Sequence, residues 1–256
     1  MTILEGLALG ALQGVTEFLP VSSSGHLVLA RALFSIEGAS VAMDVLLHSA
    51  SLVAIVVFFR SEVASLVTRR RHLLPVLLVG TLPAAILGLA LRTQLEGLFE
   101  NPAGVGAGLL LTGTVLVLGE RMGVAERSLD EVRLDDGLWV GLAQAIALVP
   151  GVSRSGMTMG AGLASGLDRG AAMAFAFLLG MVAIAGATVL EAREIAEMGS
   201  TDLAAMSCGF AASLVASLAS LAFLTLVVRR KCLSVFAIYC YLVGGAVLLA
   251  KLTGMW

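Results

Sequence analysis

The chain has 256 residues, of which 59% are hydrophobic and 13% charged, with a formal net charge of −2 and a mean hydropathy of +1.00. Soluble domains charge about a quarter of their residues, so this composition excludes an ordinary water-soluble globule and makes a lipid bilayer the expected solvent. It also excludes a nucleic-acid partner, since no basic face of useful size exists.

The first segment, Ile3–Leu19, is long enough to cross a membrane but carries Glu5, Gln13 and Glu17. It lacks a basic region before its apolar run and a small-residue cleavage pattern by Gly25, so it reads as part of the mature fold rather than a signal peptide. Gly6, Gly10 and Gly14 recur every fourth residue, a face for close helix packing. Pro20 and a Ser-rich turn interrupt the segment before a short apolar arm, Leu27–Phe34. Two short arms joined by polar backbone predict a re-entrant hairpin, tolerated at membrane depth only inside protein or beside water.

Long apolar runs follow at Val41–Phe59, Leu73–Leu91, Ala103–Gly119, Gly170–Leu190, Leu203–Val228 and Cys232–Ala250. Each approaches or exceeds the roughly 20 residues that span hydrocarbon, which predicts six spanning helices. Between the third and fourth, Leu138–Val149 and Met157–Leu167 form a second broken pair around Pro150-Gly151. Cys208, Cys232 and Cys240 lie in apolar stretches without metal-ligand spacing and read as small buried hydrophobes. The expected fold is an all-α integral membrane protein: six spanning helices plus two pairs of re-entrant helices.

The two hairpins match at a single offset. Gly10 falls on Gly141, Gln13 on Gln144, Val21 on Val152, Ser22 on Ser153, Ser24 on Ser155 and Gly25 on Gly156. One membrane domain over 1–256 is therefore expected, built from a first repeat, 1–130, and a second, 131–256. Arg60 and Arg69–Arg71 crowd one connection, and Arg229, Arg230 and Lys231 another. The connection from Glu120 to Asp136 holds three arginines among six acidic residues, while the loops near Arg92 and Arg193 hold one basic residue each. Lysine and arginine counts place the first three connections in the cytoplasm. A hairpin near Glu37 then opens outward and one near Asp130 inward, an inverted-topology repeat with both polar turns near the midplane.

Polar groups in hydrocarbon are expensive and mark function. Gln13 and Glu17 are four apart and share a helix face. Together they suit a hard divalent cation, and Glu17 alone suits a general base. Ser22-Ser23-Ser24-Gly25 opens a helical arm whose free N–H groups form an anion cradle, although capping explains any one serine alone. His26 is placed to act as an acid or as a nucleophile toward phosphorus. Ser153-Arg154-Ser155-Gly156-Met157-Thr158 repeats the cradle with a guanidinium fork suited to phosphate oxygens. Pairing of Arg154 with Glu17 is compatible with that role. Asp44 and His48 are four apart in the first spanning helix, on a face expected to turn toward the core; His48 reads as a supporting residue, Asp44 as lying near the outer membrane surface, and neither as catalytic.

At these residues the chain resembles the undecaprenyl-diphosphate phosphatase, or bacitracin-resistance protein, family. The first family motif reads here as Gln13 to Glu17 followed by Pro20-Val21-Ser22-Ser23-Ser24-Gly25-His26, and the second as Pro150-Gly151-Val152-Ser153-Arg154-Ser155-Gly156-Met157-Thr158. Many relatives carry a second glutamate where Gln13 stands. The resemblance implies hydrolysis of the terminal phosphate of undecaprenyl diphosphate at the outer face of a bacterial inner membrane, with Mg²⁺ or Ca²⁺ required. Carrier recycling for cell-wall polymers and bacitracin tolerance follow from it, and a homodimer is compatible with it. On that substrate Ser23 is expected to attack the phosphorus, with Glu17 or His26 taking its proton. Arg154, Ser22, Ser24, Gly25, Ser153, Ser155, Gly156 and Thr158 are expected to hold oxygens, and the ion to bridge Glu17, with Gln13, to the diphosphate. Attack by His26 or by water is the rival. A lipid flippase built on the same inverted repeat is the alternative from another functional class, and it has no use for a nucleophile and base together.

Overall fold

The structure, a computed structural model, describes residues 2–34, 41–98, 102–122, 126–191 and 203–254. The described residues form helices α1 (Ile3–Phe18), α2 (Ser23–Phe34), α3 (Val41–Phe58), α4 (Arg60–Leu66), α5 (Leu73–Ala90), α6 (Arg92–Leu98) and α7 (Pro102–Met122). A 3₁₀ turn at Leu129–Glu131 leads to α8 (Leu134–Ile146), α9 (Arg154–Ala164), α10 (Arg169–Leu190), α11 (Leu203–Arg229) and α12 (Ser234–Leu252). Glu37 and Arg193 lie outside the described residues.

Among the described residues five helices, α5, α7, α10, α11 and α12, are long and apolar enough to cross a bilayer unaided. The sixth expected span differs in one respect. Helix α3 ends at Phe58 and the chain bends by 82° into α4, so the span qualifies only as a bent pair. Arg60 and Glu62 begin the bent segment, and their charges favour the water interface over continued hydrocarbon. The outer surface is oily throughout: Leu78, Leu82 and Ile86 on α5, Leu226 on α11 and Leu242 and Leu249 on α12 are all exposed. The fully buried set includes Gln13, Ser51, Thr112, Ser213 and Ser217. This distribution suits lipid outside and polar contacts within.

Close packing follows the small residues. A Cβ on Gly6, Gly10 or Gly14 would fall within the backbone of Ala205, Gly209 or Ser213, so the glycine face of α1 lies directly on α11. The offset between partners is constant, so α1 runs parallel to α11. Gly137 and Gly141 of α8 meet Val76 and Gly80 of α5 in the same parallel sense. Hydroxyls bind these layers: Ser213 donates to the Leu47 carbonyl at 3.0 Å, and Ser220 donates to Val15 at 3.0 Å. Phe18 meets Phe177 edge to face at 5.4 Å, and Phe177 meets Phe59 at 5.7 Å, beneath the polar turns.

The charged end of the bundle closes the second hairpin. Arg127 grips Asp136 at the start of α8 with two hydrogen bonds, 3.0 and 2.7 Å long. Its backbone pairs with Leu167, just after α9. Both arms of that hairpin therefore begin and end at one end of the bundle. Nearby, Glu120 accepts from Arg169 at 3.2 Å and from the first amides of α12, Leu233 at 3.1 Å and Ser234 at 2.8 Å. The Arg70 guanidinium beside Asp130 holds that carboxyl below the usual carboxylate range.

Candidate active site

Pro20 cannot extend α1, and the chain turns through Val21 into Ser22, whose φ of +69° lies in the left-handed region that side chains rarely adopt. Such strain persists where surrounding contacts over-determine it. Here the Ser22 hydroxyl accepts from the Gly25 amide at 3.3 Å, and its carbonyl accepts from His26 Nδ1–H at 2.8 Å. The second turn is built alike. Ser153 caps α9 by accepting from Gly156 N–H at 3.1 Å. Gly151, at φ +86°, passes so close to Val105 that a Cβ would overlap its backbone. Thr112 steadies the turn, its hydroxyl accepting from the Ser153 amide at 2.9 Å. Both caps thus deliver the next residue, Ser23 in one copy and Arg154 in the other, at the first position of a helix.

The two turns touch in the bundle interior. Ser155 donates to the Leu19 carbonyl at 3.2 Å, and a Cβ on Gly25 would stand 3.0 Å from the Gly151 Cα. Glu17, almost wholly buried, is the hub. Its Oε2 accepts from Ser23 Oγ–H at 2.6 Å and from Gln13 Nε2 at 2.8 Å, with His48 Nε2 at 3.6 Å. Its Oε1 is ion-paired to Arg154 Nη2. Arg154 Nη1 donates to the Gly180 carbonyl at 3.0 Å, and a Cβ on Gly180 would stand 2.9 Å from that nitrogen. Glycine at 180 is therefore what lets the guanidinium seat on the α10 backbone.

Glu17, Ser22, Ser23, Ser24, Ser153 and Arg154 line a cavity of about 940 Å³ whose other walls include Leu27, Val28, Val45 and Ile184. The remaining expected residues do not line it. Gln13 is fully buried behind Glu17. Thr158 donates to the Arg154 carbonyl at 2.8 Å, and Ser155 ties the two turns together. Gly25 and Gly156 are sites of close approach, a Cβ on Gly156 standing 2.9 Å from Thr112 Cγ2. His26 points the other way, with Nε2 2.7 Å from the Tyr239 hydroxyl of α12.

Among the described residues, no three His, Cys, Asp or Glu side chains are grouped to hold a metal ion. Glu17 offers the one carboxylate at the turns, and both its oxygens already accept from donors. Beside it, Gln13 Oε1 is buried without a hydrogen-bond partner, so Glu17 and Gln13 are the residues that would hold a divalent ion at the turns. The turns also fit anion chemistry: a hydroxyl shares its proton with a buried carboxylate, and a guanidinium beside it retains further N–H donors.

Residues 6–246 match the family described as bacitracin resistance protein BacA, a span that includes both polar turns. The chain belongs to this family. A relative from Methanobrevibacter smithii named undecaprenyl-diphosphatase is 34% identical over 100% of both chains. Proteins of the same name from Carboxydothermus hydrogenoformans, 34% identical over 99% of each chain, and Syntrophotalea carbinolica, 38% identical over 96% of this chain and 97% of the relative, agree. Asp44 and His48, set aside as catalytic candidates in the sequence, line the cavity itself, and so does Arg31, which the sequence reading did not single out. Thr112, Gly180 and Tyr239 hold the turns through contacts that no local spacing announces.

Proposed function

We infer that the chain is an undecaprenyl-diphosphatase, hydrolysing the terminal phosphate of the polyprenyl diphosphate carrier and returning the monophosphate to cell-wall synthesis. The observation that carries this reading is the Ser23–Glu17–Arg154 group on the wall of a cavity with apolar sides. The apolar sides suit the prenyl chain and the polar turns suit the diphosphate. Ser23 Oγ attacks the terminal phosphorus while its proton passes to Glu17. The bond from phosphorus to the bridging oxygen breaks, and the lipid monophosphate leaves. Glu17 yields the proton to the bridging oxygen as it departs, takes one from the water that attacks the phosphoserine, and returns it to Ser23 Oγ as the bond from phosphorus to Oγ breaks. Arg154 binds the equatorial oxygens, where negative charge is spread in the transition state.

His26 as nucleophile is disfavoured by its two occupied ring nitrogens and its place outside the cavity wall. The relatives carry the name of a hydrolase, and the flippase reading gains nothing from it. Mg²⁺ or Ca²⁺ enters this reading together with the diphosphate, and Glu17 with Gln13 Oε1 are the protein oxygens that would hold it. A second copy is not required, since hydroxyl, carboxylate and guanidinium all come from one chain. The test is phosphate release from undecaprenyl diphosphate by detergent-solubilised protein with Mg²⁺ or Ca²⁺. Steady turnover is expected, and its absence in folded protein would reject the reading.

The proposed setting is a bacterial inner membrane with the cavity open to the periplasm, the two halves being inverted copies. Support comes from α1 running parallel to α11 and α8 to α5, so that the hairpins enter from opposite ends. Arg60, Arg69–Arg71 and Arg229–Lys231 lie at the end away from the cavity mouth, where Arg31 and Arg92 sit. With Cys208, Cys232 and Cys240 replaced, a cysteine at Thr93 is expected to react with an impermeant reagent from the periplasm. One at Asp130 is expected to react only from the cytoplasm. Reaction of both from the same side would remove the orientation.

A further inference from the structure

We propose that Arg31 binds the second, lipid-linked phosphate of the substrate, with Asp44 as the counter-charge that sets how tightly it holds. The proposal rests on the diphosphatase reading and adds to it a determinant of diphosphate over monophosphate binding.

Arg31 and Asp44 both line the cavity, one from α2 and one from α3, and their side chains are ion-paired through Arg31 Nη2 and Asp44 Oδ1. The pair leaves a defect: Arg31 Nε is buried without a hydrogen-bond partner. A buried guanidinium N–H without an acceptor is costly, and native structures keep one where something else supplies the acceptor. Nε and the adjacent Nη form the side-on edge of the guanidinium, a fork matched to two oxygens of one phosphate. Asp44 holds one prong, and the other has no acceptor within the protein.

Placement and charge agree with this. Arg31 follows Ser23 by eight residues on the same helix, about 12 Å of rise. Long helical side chains lean back toward the helix start, which shortens that gap, and Leu27 and Val28 of the intervening turn line the same cavity. A terminal phosphate at Ser23 thus has its lipid-linked neighbour directed along α2 toward Arg31. Arg154 is already matched by Glu17, so a diphosphate needs further positive charge. Asp44 answers the opposite problem. After cleavage only the lipid monophosphate remains at Arg31, and a carboxylate competing for the guanidinium lets that product leave.

The experiment uses the full chain in detergent. It measures binding of inorganic pyrophosphate and of orthophosphate, together with kcat, KM and inhibition by a prenyl monophosphate. Arg31→Gln is expected to weaken pyrophosphate about tenfold and to raise KM more than it lowers kcat. Orthophosphate, which needs only the Ser23–Arg154 end, should bind as before. Arg31→Lys should recover part of the loss. Asp44→Asn should act in the opposite direction, tightening pyrophosphate and strengthening inhibition by the monophosphate. If Arg31 and Asp44 merely tie α2 to α3, both substitutions weaken binding together, and both anions suffer alike. Either pattern overturns the proposal. A wild-type protein that releases no phosphate would defeat the diphosphatase reading, while the two anion titrations would still decide the role of Arg31.

Discussion

Arg154→Ala is expected to lower phosphate release by at least about 10²-fold, the scale of removing a preorganised donor aimed at developing charge. The guanidinium is held on two sides, by Glu17 and by the Gly180 carbonyl, so it meets the phosphoryl group without reorganising. Lysine is expected to rescue poorly, since a single ammonium cannot keep both contacts and still offer a fork. A structural explanation has to be separated from this one. Deleting Arg154 strands the buried Glu17 carboxylate, and breaking a buried pair typically costs about 3–5 kcal/mol. The double variant Glu17→Gln, Arg154→Ala removes both charges. It is expected to regain thermal stability over Arg154→Ala in detergent while staying inactive. Near-normal turnover by folded Arg154→Ala protein would remove the proposed role. Recovery of activity along with stability in the double variant would show that the pair serves the fold alone.

The hairpins were legible in the sequence for an energetic reason. Glu17, Gln13, the serines and Arg154 are costly in hydrocarbon, so their clustering beside Pro20 and Pro150 marks the turns without any structure. The glycine spacing of α1 was equally readable, because only close helix contact explains three glycines on one face. What could not be read was rotation about each helix axis. His26 is three residues after Ser23, and whether it shares the cavity depends on how α2 sits against α12, where Tyr239 draws the ring away. The same rotation carries Arg31 onto the cavity wall. Gly180 is one more small residue in an apolar run, and its carbonyl acquires meaning only when α9 packs beside α10. The bend after Phe58 likewise depends on where the interface lies, which the apolar run alone does not fix.

Ser23→Ala is expected to lose turnover by at least about 10³-fold while retaining diphosphate binding, because only the transition state loses a partner. Ser23 stands alone among the three serines in donating to Glu17, at 2.6 Å, and it opens α2 at the same position at which Arg154 opens α9. Its neighbours do other work. Ser22 caps the helix through Gly25, and Ser24 lies 3.4 Å from the Ser22 hydroxyl, so Ser22→Ala and Ser24→Ala should cost less in activity. His26→Ala should fall between them. Its ring pins the Ser22 carbonyl in a left-handed turn, and losing it loosens the nucleophile's seat without removing a reacting group. Tyr239→Phe should be milder still, since Nδ1 keeps its bond. The deciding measurement is acid quenching of turnover on substrate labelled in the terminal phosphate. Label on Ser23 in wild-type protein, and none in Ser23→Ala, is the expected result. Substantial turnover in Ser23→Ala with an inactive His26→Ala would transfer the covalent step to the imidazole, which would have to swing from Tyr239 into the cavity. Turnover in both variants would leave Glu17 activating water directly.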